Sequence, residues 1–366
     1  MKDVDTGAET SKDKNKLIGG VLLAVAVVGI AGVLLSSRSV NETAEGPSVA
    51  TNNIDTSEFA STEIPSFFAT QFPNADFSKV NVDTSEILSG GPPRDGIPSI
   101  QNPEFDEYSD SSISDDVQAI VYTEGDRARV YPYNILNWHE IVNDTVDGQP
   151  IAVTFCPLCG SALVFDRTTS AGVTEFGVSG GLRESNMIMF DRNTETFWQQ
   201  ATGVAIIGEL AGEELDLLPF QLLTVGEAKE KYPDGLIQST DTGHSRDYVR
   251  NPYGDYNEND TFIFQPSSLD EEYPVKQIFA AVRYNGESIA MPWLDLDDQV
   301  YEFTTAGGAN LTIDKADGEL NVTNEDGERI PHYFEMWFSW AVQHEDDPNS
   351  EVFDPTRTQA GESANG

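Results

Sequence analysis

The sequence predicts a β-dominated α+β domain, built of antiparallel sheets and hairpins with a few short helices and preceded by one N-terminal transmembrane helix. Three observations carry that expectation. Between about residues 81 and 345 the apolar residues gather in short runs punctuated by Gly, Pro, Asn and Asp, the pattern of strands and turns. Only three stretches in that region hold a helical period. Residues 17–35 read LIGGVLLAVAVVGIAGVLL, an uncharged apolar segment whose helix would span about 28 Å, close to the hydrocarbon thickness of a bilayer.

Taken in order, residues 119–122 and 128–131 flank Gly125-Asp126 and read as a hairpin. Residues 150–155 and 162–165 flank a pair of cysteines, and strands at 173–178 and 187–190 follow. Later strands are expected at 277–283, 300–303, 310–313 and 320–322, with Gly307-Gly308 and Gly318 supplying turns. The helices are expected at 132–142, opened by Pro132, at 225–231, and at 333–344, where aromatics on most sides predict burial. Val164-Phe165-Asp166-Arg167 is echoed by Met189-Phe190-Asp191-Arg192, as two related hairpins would produce.

The ends of the chain differ in kind. Lys2, Lys12, Lys14 and Lys16 precede the apolar segment and only Arg38 closely follows it. The positive-inside bias therefore puts residues 1–16 in the cytoplasm, 17–35 in the membrane as a single-pass anchor and the rest outside the cell. A cleaved signal peptide is the alternative, against which stand the length of the run and the poor cleavage site Leu35-Ser36-Ser37-Arg38. Residues 36–80 read as an acidic linker or stalk, 81–345 as the globular β-rich domain, and 346–366 as an acidic loose tail. The 62 acidic residues outnumber 21 basic ones, for a net charge of -41 spread along the chain. Such a surplus repels itself unless strongly screened, which points to a salt-adapted, halophilic cell. It excludes nucleic acid as a partner, because no basic patch exists to replace counterions. It also leaves no Asp/Glu pair standing out as acid and base, and no G-x-S-x-G elbow signals a hydrolase. Sequons at Asn41, Asn143, Asn259, Asn310 and Asn321 are acceptors in principle.

The only two cysteines lie in Thr154-Phe155-Cys156-Pro157-Leu158-Cys159-Gly160-Ser161. Three readings fit. As a metal knuckle, Pro157 fixes φ, Gly160 can turn left-handed, and two thiolates converge on one ion. A second cysteine pair is missing, so the remaining ligands must be imidazole, thioether or carboxylate. As a redox pair, C-x-x-C cycles between dithiol and disulfide, although a strand rather than a helix is expected to follow. As a structural disulfide, so short a loop would stabilise little.

His139, in Asn137-Trp138-His139-Glu140, shares a helix face with Ile135, Trp138 and Val142, and the helix leads toward the strand before Cys156. His332, Met336, Trp340 and His344 step by four along the last expected helix. A histidine and a methionine near two thiolates would suit copper. The expected metal set is Cys156, Cys159 and His139, completed by His344 or Met189, with copper or zinc as the ion; a core histidine bonded to a carbonyl is the competing account of His139. Asp191, Arg192, Trp198 and Gln199, with Trp138, either line a pocket or form buried bonds that fix the hairpins. The Gly-rich stretch 177–181 lacks both a following helix and a Walker lysine, so a bulge or close backbone approach is expected there rather than phosphate binding.

Several ordered blocks carry a family resemblance: Asp95-Gly96-Ile97-Pro98, the run from Tyr131 to Asp144, Thr154-Phe155-Cys156-Pro157-Leu158-Cys159, Phe165-Asp166-Arg167, Phe176-Gly177-Val178-Ser179-Gly180, Met189-Phe190-Asp191-Arg192, Trp198-Gln199-Gln200, and Trp337-Phe338-Ser339-Trp340 with His344. In these the chain resembles the family catalogued as domain of unknown function 3179, known from haloarchaea and bacteria. The resemblance covers about residues 95–345. It implies a shared fold and marks Trp138, His139, Cys156, Cys159, Met189, Asp191, Arg192 and Gln199 as a common site, while supplying no activity. Gly181 stands where a bulkier residue is expected, and residues 246–274 look like an acidic insertion; neither departure touches the cysteine pair. The function expected is a membrane-anchored metal-binding protein, the alternatives being a thiol–disulfide redox protein or a non-catalytic cell-surface module.

Overall fold

Four sheets contribute to the largest core, and the cysteine hairpin belongs to the largest of them. The computed structural model describes residues 63–357, which fall in one compact unit. The large sheet has eight strands in the spatial order Ile100–Gln101, Ile141–Val146, Gln149–Cys156, Ser161–Asp166, His332–Met336, Ile278–Tyr284, Glu287–Pro292, Ser350–Val352. Its pairings are antiparallel except at the two edges. The central strands are buried on both faces, and Gln149–Cys156 and Ser161–Asp166 hold near-continuous apolar runs for that reason.

The second sheet runs Ile87–Ser89, Phe176–Arg183, Asn186–Asp191, Phe197–Gln199, Ala205–Ile207, all antiparallel. It too is covered on both sides, and the period of two shows it: Met187 and Met189 join the main core, while Ile188 and Phe190 belong to a separate apolar cluster. That cluster is closed by helix α1 (Ser66–Gln71) and the residues that follow it. Phe68 and Phe72 are fully buried. Phe68 stacks on Phe197 with centroids 4.2 Å apart, and Phe72 meets Phe190 edge-on at 4.9 Å. The packed unit therefore begins before residue 81, inside the segment expected to be a stalk. It also extends past residue 345, because Ser350–Val352 pairs in parallel with Glu287–Pro292. The proposed anchor at 17–35 and the last residues of the expected tail lie outside the described residues. Among the described residues no helix is long and apolar enough to cross a membrane.

A five-stranded sheet and a four-stranded meander complete the fold, giving the β-dominated architecture with few short helices that the sequence predicts. The expected hairpin at 119–131 forms as Gln118–Tyr122 with Arg129–Pro132. Helix α3 (Val225–Lys231), which follows α2 (Tyr133–His139) in the chain, lies where the pattern put it and is fixed by a capping box between Thr224 and Glu227. Three expectations are corrected. The helix expected over 132–142 stops at His139: Glu140 turns left-handed at φ 59°, and β-branched Ile141 and Val142 start a strand. The helix expected over 333–344 is a strand, His332–Met336, followed by helix α4 (Trp337–Gln343), so His332 and Met336 share no helical stripe with Trp340 and His344. The strand expected at 173–178 divides: Gly172–Val173 sits in a two-stranded ribbon, and Phe176–Arg183 begins anew.

The glycines of that last strand explain themselves by contact. Its register shifts between Val178 and Leu182. A Cβ on Gly180 would lie 2.1 Å from the Pro92 carbonyl oxygen, and one on Gly181 2.4 Å from the Phe68 ring. Nothing bulkier fits at Gly181 while Phe68 covers the sheet. Phe68→Ala is accordingly expected to destabilise the protein by about 3–5 kcal/mol, the usual loss for a buried phenylalanine, in urea denaturation at molar salt. A change below about 1 kcal/mol would mean that this segment is not a working part of the core.

Candidate functional site at the cysteine turn

Cys156 ends one strand of the large sheet and pairs with Ser161, which opens the next, so residues 157–160 form a tight connection. Each part of the turn is held. Cys159 N donates to Cys156 O at 3.2 Å, Met336 N donates to Cys159 O at 2.8 Å, and Tyr256 OH donates to Leu158 O at 3.0 Å. Gly160 takes φ 56°, with side chains of Ile278 and Met336 pressed against the place of a Cβ. Both cysteines are free thiols, Cys156 at 2% exposure and Cys159 at 0%.

Two polar environments adjoin the sulfurs. On the Cys159 side stand Ser339 and Glu335, whose Oγ and Oε2 atoms are buried without a hydrogen bond of ordinary geometry. Burial pushes the Cys159 thiol well above its usual range, and the adjacent Cys156 adds to the effect. Burial likewise raises the Glu335 carboxyl to about 7, opposed by Ser339 and by the Arg283 guanidinium. On the Cys156 side, the sulfur lies 3.9 Å from Ser185 O. There Tyr253 OH donates to Glu140 at 2.8 Å, and burial raises the Glu140 carboxyl to about 7. Glu140 is coupled to the turn through the backbone, its carbonyl accepting from Phe155 N at 2.8 Å. Glu335 thus stands beside the Cys159 thiol, and Glu140, the other buried carboxyl raised to about 7, is joined to the Cys156 side through Tyr253.

Behind the turn runs a buried network of amides and hydroxyls. Thr154 Oγ1 donates to Leu163 O at 2.9 Å and accepts from Gln200 Nε2 at 3.0 Å. Gln200 Oε1 accepts from Ser161 Oγ at 2.6 Å and from Asn186 Nδ2 at 2.8 Å. Asn186 Oδ1 accepts from Gln199 Nε2 at 2.7 Å and from Ala201 N at 3.0 Å. These side chains are fully or almost fully buried, and they join the cysteine hairpin to the second sheet. Of the five side chains only Gln199 belongs to the expected site. The polar residues flanking C-x-x-C, Thr154 and Ser161, are the sequence signal that points to the others.

Residues 246–274, set aside in the sequence as an acidic insertion, contact this site directly. Tyr248 OH bonds His139 Nε2 at 2.7 Å, Trp138 Nε1 donates to Arg250 O at 3.1 Å, and Tyr253 and Tyr256 make the bonds given above. Ser185 Oγ donates to Phe264 O. The segment is a strap over α2 and the cysteine turn.

The expected ligands are placed as follows. His139 uses both ring nitrogens: Nδ1 donates to Pro98 O at 2.7 Å, and Nε2 accepts from Tyr248. Burial lowers its pKa to about 4, and its imidazole neighbour is His244, 5.4 Å away between centroids. Nδ1 of His344 faces Trp340 O at 2.8 Å and its ring stacks on Trp340. Met189 is buried in the main core. Among the described residues no group of three or more His, Cys, Asp or Glu is arranged to hold a metal ion. The pocket candidates fix hairpins instead. Asp191 is fully buried and accepts from Asn193 N, Thr194 N, Thr194 Oγ1, Thr196 N and Trp198 Nε1. Arg192 makes a two-pronged pair with Asp95 at 2.7 and 3.0 Å.

No curated protein and no solved structure matches the chain significantly. One family model does, described as a protein of unknown function (DUF3179), and it matches residues 94–325, most of the described unit and the whole of the cysteine turn, network and strap. The chain is a member of the DUF3179 family.

Proposed function

We propose that Cys156 and Cys159 form a thiol–disulfide redox pair, carried on a domain that the apolar segment at 17–35 tethers to the outer face of the membrane. One observation carries the redox reading: two free thiols share a tight turn, with the buried Glu335 carboxyl beside Cys159, while His139 is committed to Pro98 and Tyr248. A carboxyl that titrates near neutrality beside a thiol is suited to take the thiol proton when the sulfur attacks, and to return it on reduction. Cys156, the less enclosed sulfur, is the attacking thiol. Cys159, whose thiol is held protonated by burial, is the resolving one. Because burial disfavours the Cys159 thiolate, the reduced form gains little from ionisation there and the pair belongs on the reducing side, at about −270 mV. Copper or zinc is a second reading, favoured by the left-handed Gly160 behind two sulfurs on one knuckle. An ion there would draw its other ligands from outside the set His139, His344 and Met189.

Two measurements test this. Equilibration in dithiothreitol buffers is expected to give a reversible two-electron transition near about −270 mV, with metal content low and equal in wild type and Cys156→Ser/Cys159→Ser. A pair that resists both oxidation and reduction would contradict the redox reading, and stoichiometric metal lost in the double variant would replace it by the metal one. The second concerns Glu335. Its folded pKa is raised from 4.5 to about 7, so the folded state binds the extra proton between those values. Its burial is therefore harmless below pH 4.5 and destabilising in full above about 7, by on the order of 3 kcal/mol. Glu335→Gln is expected to gain stability relative to wild type by that order between pH 5 and pH 8 in urea titrations. An unchanged difference across that range would show that Glu335 ionises freely.

A further inference from the structure

In front of the turn lies a cavity of about 270 Å³. Leu158, from between the two cysteines, forms one wall, and Met187, Tyr253 and Phe264 form others. Glu140 is its one carboxyl, and no Lys, Arg or His lines it. Ile263, at 54% exposure, also lines it and gives it an exposed edge. Ser185 links the sulfur to that lining: its carbonyl oxygen lies 3.9 Å from Cys156 Sγ, and its hydroxyl donates to the backbone of Phe264.

We propose that this cavity is the access site of the thiol pair and that it admits a small uncharged disulfide bearing an aromatic or branched apolar group. The assignment rests on the redox reading above and names its substrate class. Size limits the guest, since the volume falls below the usual range for drug-sized ligands and suits one ring or branched chain beside the sulfurs. Charge limits it further. An anionic disulfide would meet a chain of net charge -41 and a lining without a cation, and would lose its hydration for nothing. An uncharged guest buries its apolar face on Leu158, Tyr253 and Phe264. The exchange balances. Cys156 sulfur bonds to one substrate sulfur as the substrate S–S bond breaks, and the first thiol leaves with one proton. Cys159 sulfur then bonds to Cys156 sulfur, and the second thiol leaves with the other proton. The pair has lost two electrons and the disulfide has gained them. Because Phe264 and Tyr253 belong to the strap, entry requires the strap to yield at that wall.

The test uses the reduced protein at pH 8 in molar NaCl, which screens the long-range field. Its rates with uncharged dithiodipyridine and dianionic dithiobis(nitrobenzoate) are each divided by the rate of a Cys-Pro-Leu-Cys peptide. The normalised rates are expected to favour dithiodipyridine by about 100-fold. Ile263→Trp, at the cavity's exposed edge, is expected to slow that reagent about tenfold with its thermal midpoint unchanged. Equal normalised rates, or an Ile263→Trp protein as fast as wild type, would overturn the assignment. Mass analysis separates the two levels. A selective mixed disulfide that never closes to Cys156–Cys159 would keep the cavity assignment and sink the redox reading.

Discussion

The bond from Gln200 Nε2 to Thr154 Oγ1, with the amide chain around it, joins the cysteine hairpin to the second sheet. A buried amide left without partners costs about 1–3 kcal/mol, and here two glutamines, an asparagine, a threonine and a serine are buried together. The network is therefore tolerable only if it is nearly complete, and completeness fixes the register of the hairpin against the second sheet. With the register fixed, Cys156 and Cys159 fall on one turn, Met336 can close it from the neighbouring strand, and Glu335 and Ser339 arrive beside the Cys159 sulfur.

The strap and α2 perform the complementary task on the other side. Glu140 ends its helix in a left-handed conformation that asparagine or glycine would adopt more readily. That geometry turns its carboxyl to Tyr253 while its carbonyl still serves the Cys156 strand. His139, one residue earlier, is locked neutral between Pro98 and Tyr248. The two residues are adjacent in sequence, and their environments separate them: one is a structural clasp and the other a carboxyl near the thiols. The charge surplus plays no part in this dry region. It describes the hydrated surface, where its effect is set by salt.

Much of the architecture was legible in the residues. Gly125-Asp126 and the Pro and Gly around the cysteines are local signals, and they marked the right elements. Failures came where tertiary burial overrode the period. His332–Met336 is buried throughout because a central strand is covered on both faces, and its aromatic residues without a period of two look the same as a buried helix. The segment around Phe68 read as a stalk, because only the face of the second sheet that it covers explains why it packs. At the site, the cysteine turn was legible and its surroundings were not. His139 and Asp191 stood out as chemistry-bearing types but are consumed by fixing the backbone. The strap's tyrosines were hidden in a stretch whose acidity marked it as surface.

If the thiols and the Glu335 carboxyl form one unit, the charge state of that carboxyl must follow the oxidation state of the sulfurs. Difference infrared spectroscopy between reduced and oxidised protein at neutral pH reads this directly. The account predicts a buried carboxyl C=O band that shifts or changes amplitude on oxidation and is missing from Glu335→Gln. A difference spectrum without any carboxyl band, in a protein whose cysteines have cycled fully, would contradict it.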